Sequence, residues 1–267
     1  MKNLRFSIIQ TDLVWESKKE NLQQIEAKIV QLSATEIVVL PEMFSTGFSM
    51  RPKELAETME GETVQWMRRI AQQQKIILTG SIIITEEGKY YNRLIWMLPN
   101  GQFGYYDKRH LFGYAGEQEH YSAGKKRLIA SVKGWKINLI ICYDLRFPVW
   151  IRQQQDADFS EDARESEYDV LVCVANWPEK RAHAWKTLLM ARAIENQCFV
   201  VAVNRVGTDG NGIYHSGNSM IINPLGEILI ENAHENIAFS QELTSELLEK
   251  TRLNLPFLKD ADQFLLL

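Results

Sequence analysis

The chain has 267 residues, 45% of them apolar, and a formal net charge of −4. That length buries a large core without disulfide or metal staples. A slight excess of acid, with no basic stripe interleaved with aromatics, argues against a nucleic-acid surface, and three cysteines make neither a disulfide framework nor a zinc site. No stretch approaches the ~20 apolar residues of a membrane span. Polar residues interrupt the N-terminus too early for a signal-peptide core, so a reducing, cytoplasmic setting is expected.

In chain order, a strand is predicted over 4–10, a helix over 18–32 and a short buried strand over 36–40 that ends at Pro41. A helix over 63–74 carries Val64, Met67, Ile70 and Ala71 on one face. Strands follow over 75–84, 91–98 and 102–106, with Asn100-Gly101 as the turn between the last two. The second half resembles the first. Strands over 127–132 and 135–142 lead to a helix from Pro148, a strand over 169–175 and a long helix over 181–196. Strands over 199–204, 219–223 and 227–231 close the pattern, with Pro224-Leu225-Gly226 as a turn.

The polar stretch 153–167 reads as a mobile loop or a helix extension. Cys173 and Cys198 sit inside apolar runs and read as core. Lys125-Lys126-Arg127, the one compact basic run, reads as a solvated strand entry. No Pro/Ser-rich linker divides the chain, so residues 1–267 read as one domain. Its mixed strand–helix order with frequent hairpins indicates a layered α/β (α+β) sandwich. The tail from about 240 is unusually apolar towards its end, in Phe264-Leu265-Leu266-Leu267, and would dock on its own domain or across a dimer.

Three polar residues each leave an apolar strand. Cys142 follows Ile137-Asn138-Leu139-Ile140-Ile141, Glu42 follows Leu40-Pro41, and Lys108 lies in Tyr106-Asp107-Lys108-Arg109-His110-Leu111-Phe112. A cysteine attacks a carbonyl or nitrile carbon as the thiolate, so it requires a proton acceptor or a cationic neighbour. Glu42 could be that acceptor, while Lys108 and the Tyr143 N–H could hold charge developing on the substrate oxygen. Taken singly, each has a plain structural reading: a loop carboxylate, a surface charge, a packed thiol. Their joint placement at strand exits favours a site.

The three motifs resemble those of the nitrilase superfamily, the carbon–nitrogen hydrolases with a Glu-Lys-Cys triad. The resemblance runs from Phe6 to about Asn223. The family's glutamate follows Leu-Pro and corresponds to Glu42. Its lysine lies in a Tyr-x-Lys-x-His-Leu-Phe pattern and corresponds to Lys108. Its cysteine lies in Cys-Tyr-Asp-x-Arg-Phe-Pro and corresponds to Cys142. The family also uses a second glutamate seven residues before a glycine. Gly124 places this at Glu117, with Glu119 as a competitor. The resemblance implies a four-layer α-β-β-α sandwich and a homodimer.

Within the superfamily, Ala175-Asn176-Trp177-Pro178, residues 191–197 and Asn204-Arg205-Val206-Gly207 resemble the omega-amidase branch. Its members hydrolyse the terminal amide of 2-oxo dicarboxylate amides such as α-ketoglutaramate and α-ketosuccinamate. Nitrilases more often carry tryptophan after the cysteine, where this chain has Tyr143. The expected reaction is amide hydrolysis through a cysteine thioester, with small-molecule amide and water as partners and no metal or organic cofactor.

Tyr143, Asn176, Trp177 and Phe48 are candidate substrate contacts. Phe44 is balanced between the pocket wall and the core, and Arg205 between structure and function. Arg146 reads as a loop brace pairing with Asp144 or Glu42, with the substrate carboxylate as its other candidate partner. Rival readings are an N-carbamoyl amidase, an aliphatic amidase or a nitrilase on the same triad; a papain-like protease using His183 or His215; and a non-catalytic small-molecule-binding protein.

Overall fold

The computed structural model describes residues 2–153, 166–262 and 264. Along the first half run β1 (Leu4–Gln10), α1 (Lys18–Val30), β2 (Ile37–Val39), α2 (Pro52–Leu55), α3 (Glu62–Gln74), β3 (Ile77–Glu86), β4 (Lys89–Met97), β5 (Phe103–Asp107) and α4 (Glu117–His120). The second half brings β6 (Ile129–Val132), β7 (Trp135–Ile141), α5 (Pro148–Ile151), β8 (Val170–Val174), α6 (Ala182–Asn196), β9 (Phe199–Val203) and β10 (Val206–Thr208). It closes with β11 (Tyr214–Ile222), β12 (Ile228–Ala233), β13 (Ile237–Leu243) and α7 (Ser245–Asn254).

Two mixed sheets result, in the orders β13-β1-β2-β3-β4-β5 and β10-β11-β9-β8-β7-β6, with β12 on β11. β1, β2 and β3 run parallel, as do β7, β8 and β9, and antiparallel hairpins extend each trio. Alternation along the strands sorts side chains between two cores. Phe6, Ile8, Ile37, Val39, Leu94 and Trp96 point into the cluster shared with β7, β8 and β9. Ile9, Val38, Leu78, Ile95 and Met97 point the other way, onto Leu22, Ile25, Val64, Met67 and Ile70 of α1 and α3. On the far side, Trp185, Leu189 and Ala193 of α6 join the cluster of the second sheet. The layers are therefore helix, sheet, sheet, helix, the α/β sandwich expected.

Several boundaries differ from the sequence reading. The β3–β4 hairpin turns on Glu87 and Gly88, both at positive φ (50° and 74°), the geometry of a tight two-residue turn. β11 begins at Tyr214 rather than near 219, and the helix from Pro148 spans four residues. Residues 240–243 belong to β13, which pairs antiparallel with β1. α7 then buries Leu248 and Thr251, and Arg252 Nη1 bonds Asp169 Oδ1 at 2.6 Å. Most of the polar stretch 153–167 and the last three residues of the apolar tail lie outside the described residues. Among the described residues no helix is long and apolar enough to cross a membrane.

Candidate active site

The exits of β2, β5, β7 and β8 converge at one end of the sandwich. Beyond β2, Leu40 N still bonds Thr79 O, and the chain then turns so that Met43 N donates to Ser81 Oγ (2.8 Å) and Phe44 N to Ser81 O (3.1 Å). This pins the Glu42 loop to β3, with Met43 held at φ 43°. Beyond β5, Lys108 N extends the ladder to Asn92 O (3.0 Å), and Gly124 N bonds Lys108 O (2.9 Å). Beyond β7, Cys142 opens a 3-10 turn (Cys142–Arg146) at φ 43°. Positive φ is unusual for side chains other than glycine and is held here by the surrounding turns.

Asp144 locks that turn to the lysine loop. Its carboxylate accepts from Ile141 N (3.0 Å), Tyr106 OH (2.7 Å) and His110 N (2.9 Å), and lies 2.8 Å from His110 Nδ1. Tyr106 OH in turn accepts from Trp150 Nε1 at 3.1 Å.

Lys108 Nζ donates to Glu42 Oε1 (2.8 Å) and to both Glu117 oxygens (2.9 and 3.1 Å), all three residues being buried. Asn92 Nδ2 donates to Glu42 Oε1 at 2.8 Å, and Asn176 N to Glu42 Oε2 at 2.8 Å. Phe112 N donates to Glu117 Oε2. Glu119 is exposed, so Glu117 is the glutamate that meets the lysine.

Burial opposes charge on Lys108, but Glu117, Glu42 and Cys142 more than offset it, and its affinity for the proton rises. Burial raises the Glu117 carboxyl, and Lys108 only partly counteracts this. Burial and then Glu42 push the Cys142 thiol well above its ordinary value, against a smaller opposing pull from Lys108. The thiol is therefore protonated at rest and ionises only with a base at hand.

Glu42, Lys108 and Cys142 open onto one cavity of about 330 Å³. Phe48, Tyr143, Asn176 and Trp177 also line it, so the structure gathers all four candidate contacts there. Lys108 Nζ sits 5.0 Å from the Phe48 ring centroid. Asn176 directs its Nδ2 to Glu42 O, which makes it a brace of the glutamate as well as a wall.

Phe44 is fully buried against Trp66 and belongs to the core. Arg205 is buried and bonds Asp12 (2.8 Å), a structural role. Arg146 does not brace the loop: Asp144 and Glu42 are occupied by the partners above, and Arg146 lies in the cavity wall over Trp177. His183 is exposed and outside the cavity wall. His215 lines the cavity, but burial and then the Arg205 charge lower it to about 4.

Sequence reading missed Asn92, the Asp144 network, Arg181 and the rim formed by Tyr114, Asp209, Asn211 and Ile213. Asn92 carried no usable signal, since it stands beside Arg93 in the polar half of its strand. The rim comes from two loops remote from each other in the chain, one holding Tyr114 and the other Asp209, Asn211 and Ile213, and neither carries a motif.

Comparisons with known proteins place the chain in a family. The family model described as carbon–nitrogen hydrolase matches residues 5–252. An omega-amidase YafV of Yersinia enterocolitica is 41% identical over 268 residues, covering 100% of both chains. A 2-oxoglutaramate amidase of Bacillus subtilis is 32% identical, covering 95% of this chain and 96% of its own. The crystal structure of a CN-hydrolase superfamily protein from Xanthomonas campestris, with an arsenic adduct in its active site, superposes with a TM-score of 0.96 at 41% identity over 100% of both chains.

Proposed function

Because this chain belongs to the carbon–nitrogen hydrolase family, we propose that it hydrolyses the terminal amide of 2-oxo dicarboxylate amides to the acid and ammonia, as an omega-amidase. The observation that carries the reading is the buried Glu42–Lys108–Glu117 cluster opening on the same cavity as Cys142. The names of the full-length relatives support the substrate class.

In this reading Cys142 Sγ attacks the amide carbon while Glu42 takes the thiol proton. A base is required because the thiol is protonated at rest. The carbonyl electrons move onto oxygen, where the Lys108 ammonium and the Tyr143 N–H stabilise them. Collapse of the tetrahedral species expels ammonia, which receives the proton from Glu42, and leaves a thioester on Cys142. Water then attacks the thioester with Glu42 as base, and departure of the thiolate, reprotonated by Glu42, restores the thiol. Glu117 is a positioning residue. With Glu42 it fixes Lys108 from two sides and keeps the ammonium charged in a site whose burial opposes charge.

The same reading takes residues 1–267 as one carbon–nitrogen hydrolase domain, supported by the return of β13 to β1. A homodimer is proposed from the family resemblance and from exposed apolar side chains such as Val149, Ile194 and Leu253. A cytoplasmic setting is proposed from the three free cysteines.

The test is ammonia release from 2-oxoglutaramate by the wild-type protein, with Cys142→Ala as the blank. Release that disappears in the variant establishes the activity. A folded wild-type protein that releases none from this substrate moves the assignment to an N-carbamoyl amide, an aliphatic amide or a nitrile.

A further inference from the structure

The mechanism above leaves two cations of the cavity wall without a task. Arg146 ends the 3-10 turn that begins at Cys142, and Arg181 ends a second one (Glu179–Arg181) just beyond Trp177. Both are half-buried and line the cavity. Neither is ion-paired with a carboxylate among the described residues. The acids of the wall are already engaged. Glu42 holds Lys108, and Asp209 Oδ1 accepts the N–H groups of Asn211 (2.8 Å) and Ile213 (2.9 Å) within its own loop. The cavity thus has a neutralised end at the lysine and a second stretch of wall where two arginines outnumber the one carboxylate, Asp209.

Two half-buried guanidinium groups that line one cavity, with no carboxylate partner among the described residues, present their N–H donors to an anion there. Their setting is suited to one. The Arg146 guanidinium lies 4.9 Å from the Trp177 ring centroid, and that of Arg181 lies 5.3 Å from the Phe112 ring centroid. An arginine laid over a ring keeps its N–H edge free in the plane, the edge that meets a carboxylate with two parallel hydrogen bonds. Trp177 joins the pair: its ring carries Arg146 while its Nε1 donates to the Arg181 carbonyl at 2.8 Å.

We propose that Arg146 and Arg181, positioned by Trp177 and Phe112, form a carboxylate site in the cavity wall that selects amides bearing an anionic group away from the scissile amide. The proposal rests on the reading of the chain as an amide hydrolase and assigns its substrate selectivity to two named side chains.

The test compares 2-oxoglutaramate with its neutral methyl ester in the wild type, Arg146→Met and Arg181→Met. Loss of one charged hydrogen-bonding partner is expected to lower kcat/KM for the acid about 10–100-fold, chiefly through KM. Turnover of the ester is expected to stay at the wild-type level, which also shows that the variants fold. Equal losses on acid and ester, or no loss on the acid, overturn the proposal. If the wild type hydrolyses neither compound, the omega-amidase reading fails, and the carboxylate site is then read by calorimetric titration of Cys142→Ala with 2-oxoglutarate. Binding that weakens when Arg146 or Arg181 is replaced sustains the site; binding that is absent or indifferent to both overturns it.

Discussion

At the scale of single residues, the cavity shows how burial sets protonation. The Cys142 thiol and the His215 imidazole both line it, and burial disfavours the charged form of each. For the thiol the result is dependence on a base. For His215 it is a neutral ring whose Nδ1 faces Ile213 O at 3.0 Å, in a wall that also feels the Arg205 charge. The consequence for stability has a definite sign. The folded value of about 4 lies below the ordinary 6.5, so the unfolded chain binds the proton more readily. The stabilising contribution is complete above about pH 6.5 and is lost as the pH falls towards 4, by about 3 kcal/mol in all. Urea midpoints measured between pH 7 and pH 4.5 are expected to fall less steeply in His215→Gln than in the wild type. Parallel curves would show that His215 contributes nothing to acid lability.

Elements position the chemistry through their ends. β2, β5, β7 and β8 each finish at the same end of the sandwich, and each exit is clamped by a neighbour: Ser81 under the Glu42 loop, Asp144 between the cysteine turn and the lysine loop, Gly124 against Lys108, and Glu42 on the Asn176 N–H. Gly124 illustrates why a motif contains a glycine. A Cβ added there would lie 2.1 Å from the carbonyl oxygen of Asp107, the residue before Lys108. The obstacle is backbone and cannot swing aside. Gly124→Ala is therefore expected to destabilise the fold by about 1–3 kcal/mol and to lower kcat by shifting the ammonium, while the distant Gly88→Ala leaves kcat unchanged. Thermal unfolding and steady-state kinetics on both variants check this. An unchanged kcat in Gly124→Ala would separate the glycine from Lys108 placement.

At the scale of the whole molecule, the second sheet repeats the parallel trio of the first, and the shared core between them is built from both halves of the chain. β13 closes this arrangement by covering the free edge of β1 through a register from Leu4 with Leu243 to Gln10 with Ile237. Covering that edge protects a buried strand from pairing with other chains. The exposed apolar side chains of α5, α6 and α7 are the counterpart of this closure, surface left uncovered in the single chain. Sedimentation equilibrium is expected to return a mass near twice the 30.9 kDa of the chain. A monomeric mass across the accessible concentrations would withdraw the pairing.

The sequence by itself determined the residues of the candidate site and most of the elements between them. Glu42, Lys108, Glu117 and Cys142 were legible because each stands in a short local motif, and Glu42 and Cys142 directly follow short, β-branched-rich runs bounded by polar or turn residues. β13 was not legible in the same way, since only Phe239 and Leu243 of its seven residues are buried and an edge strand has no strong alternation. Tertiary structure decided what depends on neighbours remote in the chain. Asn92 and Asn176 reach Glu42 across 50 and 134 residues, and the cavity wall joins residues near 48, 112, 146, 181 and 213. It also decided the standing of Arg146. Local spacing offered Asp144 as its partner, but three backbone and side-chain donors fill that carboxylate, and the guanidinium is left facing the cavity. Local sequence fixes which chemistry a side chain carries; which charges remain uncompensated is a property of the packed whole, because every other group must first have found its partner.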